Sequence, residues 1–149
     1  MVWVGRDRPQ GHTVQWVIAD AQALPFASER FDAVVSGFLL RNVPDVDRAL
    51  TEQHRIMRTG AHVASLDTTP PRDNWMRPFL EFHLHRIIPL MGRLIAGDAE
   101  AYTYLPSSTE KFLTAERLAE RFTQAGFQAG GYVRRMFGTV GIHWGAKTE

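Results

Sequence analysis

Two spacings of apolar residues alternate along this chain, and the alternation predicts an α/β protein. Val14–Ala19 is a short β-branched and aromatic run that stops at Asp20, the pattern of a strand. Phe31–Phe38 is a second strand whose nearly continuous apolar residues suit a parallel strand covered on both faces. Helical spacing follows: Val46, Ala49, Leu50, Gln53 and Met57 recur on one face, with only Gln53 breaking the apolar stripe. Asp45 is placed to cap that helix and Gly60 to end it as the C′ residue. His62–Asp67 reads as a third strand, polar at His62 and Ser65.

Trp75–Ile95 is long and apolar, with Met76, Phe79, Leu80, Leu84, Ile87 and Ile88 on one broad helical face and Pro89 set to kink it. Thr114 then precedes an amphipathic helix with Ala115, Leu118, Ala119 and Phe122 inward, ending at Gly126. Tyr132–Phe137 and Thr139–Trp144 read as two closing strands around Gly138. Strand–helix–strand order implies an open, mainly parallel sheet with helices on its faces. Ligands of such sheets bind beyond the carboxyl ends of the strands, which singles out Asp20, Gly37–Asn42 and Asp67–Thr69.

Composition narrows the class without changing the fold. The 149 residues suffice for one domain with a core, and 44% apolar against 22% charged residues reads as soluble and globular. A net charge of +1 gives no whole-chain attraction to nucleic acid or anionic lipid. The chain holds no cysteine, so disulfides and thiolate metal sites are excluded. Neither a signal peptide nor a run of the roughly 20 apolar residues that span a membrane appears, so the expected location is the cytoplasm.

Three strand ends carry candidate chemistry. Asp20 starts the loop Asp20-Ala21-Gln22-Ala23-Leu24-Pro25-Phe26. A carboxylate there accepts from an adenine amino group, the next N–H donates to a ring nitrogen, and Leu24 and Phe26 flank a flat ring; an ordinary capped loop is the plain alternative. Leu40-Arg41-Asn42-Val43-Pro44-Asp45 follows the second strand. Its Arg and Asn suit orienting a polar aromatic substrate or holding a water, or simply leading into a helix cap. Asp67 is a candidate general base or loop anchor, with an unperturbed pKa far too low to deprotonate a ring carbon unaided. His83 and His85 are two residues apart and so diverge on a helix, which argues against a metal site. Tyr102 and Tyr104 suit hydrogen-bonding a substrate oxygen or packing a loop.

Together these stretches resemble the ubiquinone/menaquinone biosynthesis C-methyltransferase family. The likeness runs through Asp20–Phe26, Phe31-Asp32-Ala33, Leu40–Asp45 and Leu66-Asp67. It continues in Pro89-Leu90-Met91-Gly92, Ala96–Glu100, Tyr102-Thr103-Tyr104-Leu105 and His143–Lys147, covering nearly everything from Val14 on. The resemblance implies a class I methyltransferase: a Rossmann-like sheet with helices on both faces, here one partial domain over 1–149 with a substrate-side lid over 74–107. It implies S-adenosylmethionine as cofactor and a small-molecule prenyl quinol, demethylmenaquinol or a methoxy-benzoquinol, methylated on a ring carbon. Asp20 and Ala21 would contact the adenine. The family's next cofactor-side position, a serine, falls on Gly37, with Ser36 beside it. Arg41, Asn42 and Asp67 would form the catalytic set, with Tyr102 and Tyr104 facing the substrate. Arg41 stays protonated, so it stabilises an oxyanion and cannot be the base. No metal and no nucleic acid are implied, and the reading allows a peripheral membrane contact at Trp75–Ile95.

Two departures from the family stand out. Arg58-Thr59-Gly60-Ala61 stands where members read Lys-Pro-Gly-Gly, and no Asp-x-Gly-x-Gly loop occurs among the twelve glycines. The resemblance therefore implies a sheet lacking its first two strands and the glycine-rich loop, with Val14–Ala19 and Phe31–Phe38 flanking the gap. Unpaired apolar edges would favour a homo-oligomer or aggregates. Loss of the amides at a helix N-terminus would weaken cofactor binding and impair activity. The alternatives are a degenerate paralogue that binds prenyl quinol or a biosynthetic partner, and a methyltransferase acting on another lipid or small molecule.

Overall fold

A computed structural model describes residues 2–70 and 112–148. The elements are α1 (Val2–Arg6), β1 (Phe31–Gly37), α2 (Val46–Ile56), β2 (Met57–Thr68), α3 (Ala115–Gln124), β3 (Gln128–Arg135) and β4 (Val140–Ala146). The strands form one sheet in the order β1-β2-β4-β3. β1 and β2 are parallel, with Gly37 opposite Leu66. β2 and β4, and β3 and β4, are antiparallel. The expected predominance of parallel pairing therefore does not hold among the described strands. Strands β3 and β4 are joined across Met136–Gly138, a connection too short for anything but an antiparallel hairpin.

The helices form where the sequence places them. Asp45 accepts from the Arg48 N–H at the start of α2, and Thr114 accepts from the Arg117 N–H at the start of α3. Helix α3 ends at Gly126, whose φ of 97° is the left-handed C′ geometry. The Gly126 N–H reaches Thr123 O and the Phe127 N–H reaches Phe122 O, which satisfies two terminal carbonyls. The inner faces of α2 and α3 close over one face of the sheet, where Leu50, Met57, Val63, Leu118, Phe122 and Phe127 make one cluster. Truncating a fully buried leucine such as Leu50 to Ala costs roughly 2–5 kcal/mol.

Gly60 departs from its expected place. Helix α2 stops at Ile56 and Gly60 lies inside β2, with φ 84°. The last carbonyls of α2 are met from elsewhere: His54 O by the ammonium of Lys147 at 3.3 Å, Arg55 O by the Glu29 N–H at 3.1 Å and Ile56 O by the Arg30 N–H at 2.7 Å. Gly60 forms the irregularity that brings β2 into register, its N–H bonded to Lys147 O at 2.7 Å.

Val14–Ala19 is not a strand. All six residues are exposed, Ile18 by 85%, and none pairs with another described segment. A strand exists only through a partner's hydrogen bonds, and among the described residues none lies alongside. On its side away from β2, β1 likewise has no described neighbour, and Val35 is 80% exposed. The expected Trp75–Ile95 helix, the 74–107 lid and the His83/His85 pair fall outside the described residues. No described helix is long and apolar enough to cross a membrane.

Candidate functional site at the carboxyl edge

The parallel pair β1–β2 delivers both strand ends to one edge, and a single strained residue turns the chain there. Phe38 has φ 54°, a left-handed conformation that an aromatic residue seldom adopts, and its N–H donates to Leu66 O at 2.8 Å. The chain then folds back over β2 as a 3-10 turn, Leu40–Asn42, pinned by the fully buried Leu40.

This turn lays Arg41 on Asp67. The Arg41 N–H donates to Asp67 Oδ2 at 3.1 Å, and Nε stands 3.6 Å from Oδ1. Arg41 Nη1 donates to Thr68 Oγ1 at 2.9 Å, and the guanidinium carbon sits 5.1 Å from the centre of the Phe38 ring. Nη2 has no hydrogen-bond partner among the described residues. Asp67 is 1% exposed. Burial pushes its carboxyl above the ordinary range, opposed by the N–H groups of Arg41 and Thr68 and by the guanidinium charge. So placed, Asp67 holds Arg41 and does not face outward as a base. Asn42 serves the same turn, its amide donating to Phe38 O at 2.7 Å.

The Asp20 loop is fastened independently. Asp20 Oδ1 accepts from the Gln22 N–H at 2.9 Å and from Gln22 Nε2 at 3.3 Å. The backbone bond from Gln22, then its side chain, then the Arg48 charge hold the Asp20 carboxyl below its ordinary range. Oδ2 takes no partner among the described residues. Gln22 Oε1 accepts from the Asp45 N–H at 3.0 Å, which ties this loop to the one after Asn42. Glu52 accepts from the Leu24 N–H at 2.9 Å, and Arg55 donates to Leu24 O at 3.1 Å and Phe26 O at 2.8 Å. Arg55 and Glu52 are themselves paired at 2.7 Å. Sequence analysis did not single out Phe38, Glu52 or Arg55, nor Gln22 as a clamp. The one available signal, a Glu and an Arg three apart, occurs on many helix surfaces.

Between loop and strand lies a hollow of 320 Å³ with Ala21, Leu24 and Phe26 on one side and Val34, Ser36 and Gln53 on the other. Ser36 Oγ and Gln53 Oε1 are buried there without a hydrogen-bond partner. Beside Ser36, Gly37 opens onto free space: a Cβ built on it meets nothing within 4 Å. Tyr102 and Tyr104 lie outside the described residues. The described chain stops at Pro70 and resumes at Phe112, and Thr69 Oγ1 donates to Leu113 O at 3.4 Å, so the two ends meet at the same edge.

Residues 1–147 match the model of the ubiE/COQ5 methyltransferase family. The chain belongs to this family. A ubiquinone/menaquinone biosynthesis C-methyltransferase of Desulfotalea psychrophila is 46% identical over 147 residues, 99% of this chain and 60% of that protein. A demethylmenaquinone methyltransferase of Roseiflexus sp. is 41% identical, covering 99% and 62%. The mitochondrial 2-methoxy-6-polyprenyl-1,4-benzoquinol methylase of Rattus norvegicus is 36% identical, covering 99% and 46%. This ubiE/COQ5 chain thus spans about 60% of the length of the first two.

Solved structures confirm the Rossmann-like methyltransferase fold. A SAM dependent methyltransferase from Aquifex aeolicus superposes with TM-score 0.63 at 13% identity, over 97% of this chain and 61% of that one. A putative methyltransferase from Bacillus halodurans superposes with TM-score 0.61 at 14% identity, over 99% and 78%.

The residues present fit an adenosyl group. Ala21 and Leu24 supply an apolar wall of the hollow, Ser36 an unpartnered hydroxyl and Gly37 room beside the strand end, while Asp20, next to Ala21 in the chain, supplies a carboxylate acceptor.

Proposed function

We propose that this chain forms the acceptor side and part of the cofactor side of an S-adenosylmethionine-dependent C-methyltransferase acting on a polyprenyl quinol. The observation that carries the proposal is the Arg41 guanidinium, bonded to Thr68 and 3.6 Å from the Asp67 carboxylate, at the strand edge beside the Ala21–Ser36 hollow.

The cofactor supplies a methyl group already activated on a sulfonium. Asp20 and Ala21 hold its adenine, with Ser36 and Gly37 alongside. What this chain adds is placement and exclusion of water, which carry much of the rate in such transfers. Arg41, permanently charged, stabilises the ring oxyanion left when a quinol hydroxyl loses its proton, and so makes the neighbouring ring carbon nucleophilic. Asp67 is a positioning residue: it fixes Arg41 and balances its charge. Asn42 keeps the turn closed, and Tyr102 and Tyr104 are proposed to face the ring. A base, or a water held by Arg41 and Asn42, would take the ring proton and pass it to solvent. The prenyl chain of the substrate belongs in a bilayer, so a peripheral contact at the inner face of the membrane goes with this reading. The exposed run 14–18 and the open side of β1 favour self-association.

The test joins the N-terminal segment of the Desulfotalea psychrophila relative to this chain and follows labelled methyl transfer to demethylmenaquinol and to a methoxy-benzoquinol. Transfer to one of them is expected. A folded, cofactor-binding protein that methylates neither, while methylating a sterol or a small phenol, overturns the quinol assignment.

A further inference from the structure

The hairpin between β3 and β4 ends in an unusual turn. The Thr139 N–H donates to Met136 O at 3.1 Å across Phe137 and Gly138, which have φ 56° and 88°. This is a turn of the primed type, whose first central position favours Asn, Asp or Gly. Met136 before it is also left-handed, with φ 51°. Two bulky apolar residues thus sit in a disfavoured conformation, yet Met136 is 70% and Phe137 77% exposed. Neither turn chemistry nor core packing accounts for them. Strain retained at exposed apolar residues points to a ligand outside the molecule.

The turn is braced. Arg134 Nη1 donates to Gly138 O at 2.8 Å and to Pro70 O at 3.0 Å, and its Nη2 pairs with Glu116 at 2.6 Å. Thr139 O accepts from the Thr69 N–H at 2.9 Å, and Thr68 lies opposite Val140. The tip is therefore presented at the same sheet edge as Arg41 and Asp67.

The acidic group Glu116 lies on α3 and is paired with Arg134 behind the turn, while the hairpin's own charges are basic. Residues 128–148 contain no acidic side chain. Arg135 is exposed, and its guanidinium contacts only the Arg134 carbonyl among the described residues.

We propose that Met136 and Phe137 are an interfacial anchor that enters an anionic lipid bilayer, with Arg135 against the headgroups. A convex tip of two apolar side chains beside one unpaired cation suits a soft, negatively charged surface. Its purpose rests on the quinol reading: the anchor would hold the mouth of the site where a prenyl substrate resides.

The experiment is cosedimentation of the chain with phosphatidylcholine vesicles, with and without phosphatidylglycerol. The unmodified chain is expected to sediment with the anionic vesicles and to be released by salt. Phe137→Asn should lower partitioning about tenfold, from the loss of one buried aromatic side chain. Its melting temperature should hold or rise, because Asn-Gly suits the turn. Arg135→Gln should abolish the preference for phosphatidylglycerol. Equal partitioning of Phe137→Asn and the unmodified chain, or no vesicle binding at all, overturns the anchor. The assay contains neither cofactor nor quinol, so its failure leaves methyl transfer standing, and failure of methyl transfer leaves the anchor standing.

Discussion

Arg41 and Asp67 meet twice, once through the Arg41 backbone N–H at 3.1 Å and once through its guanidinium at 3.6 Å. A charge pair that also fixes the backbone of the turn ties the position of the guanidinium to the end of β2. That coupling separates what each residue is for.

Asp67→Asn should lower turnover at least tenfold by releasing the Arg41 side chain, with little change in cofactor affinity. Its effect on stability has a definite sign. Burial raises the Asp67 pKa in the folded state. The native state therefore gains most when Asp67 is protonated, and this gain is lost as pH rises through the folded pKa. Asn carries no titrating group there, so the melting temperature of Asp67→Asn should fall less than that of the parent as pH rises from the acid side. Thermal melts and steady-state kinetics on the chain joined to the relative's N-terminal segment check both; unaltered turnover would remove Asp67 from the positioning role.

Arg55→Ala should loosen the Asp20 loop, because Arg55 donates to both Leu24 O and Phe26 O. Cofactor affinity is expected to fall by up to about thirtyfold, from two lost bonds at about 1 kcal/mol each. Calorimetric titration with the cofactor measures it, and the rate at saturating cofactor should barely change.

His143 sets an acid limit on the fold. Its ring stacks against Phe122 at 5.7 Å and Tyr132 at 5.5 Å, with Nε2 2.8 Å from Ala115 O. Burial pushes its pKa down, aided by the Arg134 charge and opposed by the bond to Ala115 and the charge of Glu116. A depressed histidine stabilises above its unfolded pKa and loses that contribution as pH falls through the folded one. His54, also lowered chiefly by burial, adds in the same direction. The melting temperature should therefore drop as pH falls below the ordinary histidine range, and less so in His143→Phe. Parallel curves for the two proteins would show that His143 is not responsible.

Much of the site was legible because strand ends carry the chemistry in open α/β sheets. Asp45 and Thr114 announced their helices, and Arg41 and Asp67 were named from position alone. Three features were not legible. Val14–Ala19 has the composition of a strand, but strand formation depends on a neighbour that local sequence does not reveal. Gly60 reads as a helix stop, yet the terminal carbonyls of α2 are met by Lys147, Glu29 and Arg30, all distant in sequence from that turn. Asp67 reads from sequence as a base or a loop anchor, and only its burial beneath the Arg41 turn favours the anchor.

The most direct test of the account is Arg41→Ala in the chain joined to the relative's N-terminal segment, with turnover and cofactor affinity measured on the same preparation. Turnover should fall by about a hundredfold or more, as for removal of an oxyanion-stabilising group, while the cofactor Kd stays within about twofold. Equal losses in both would place Arg41 in the cofactor site or in the scaffold and contradict the account.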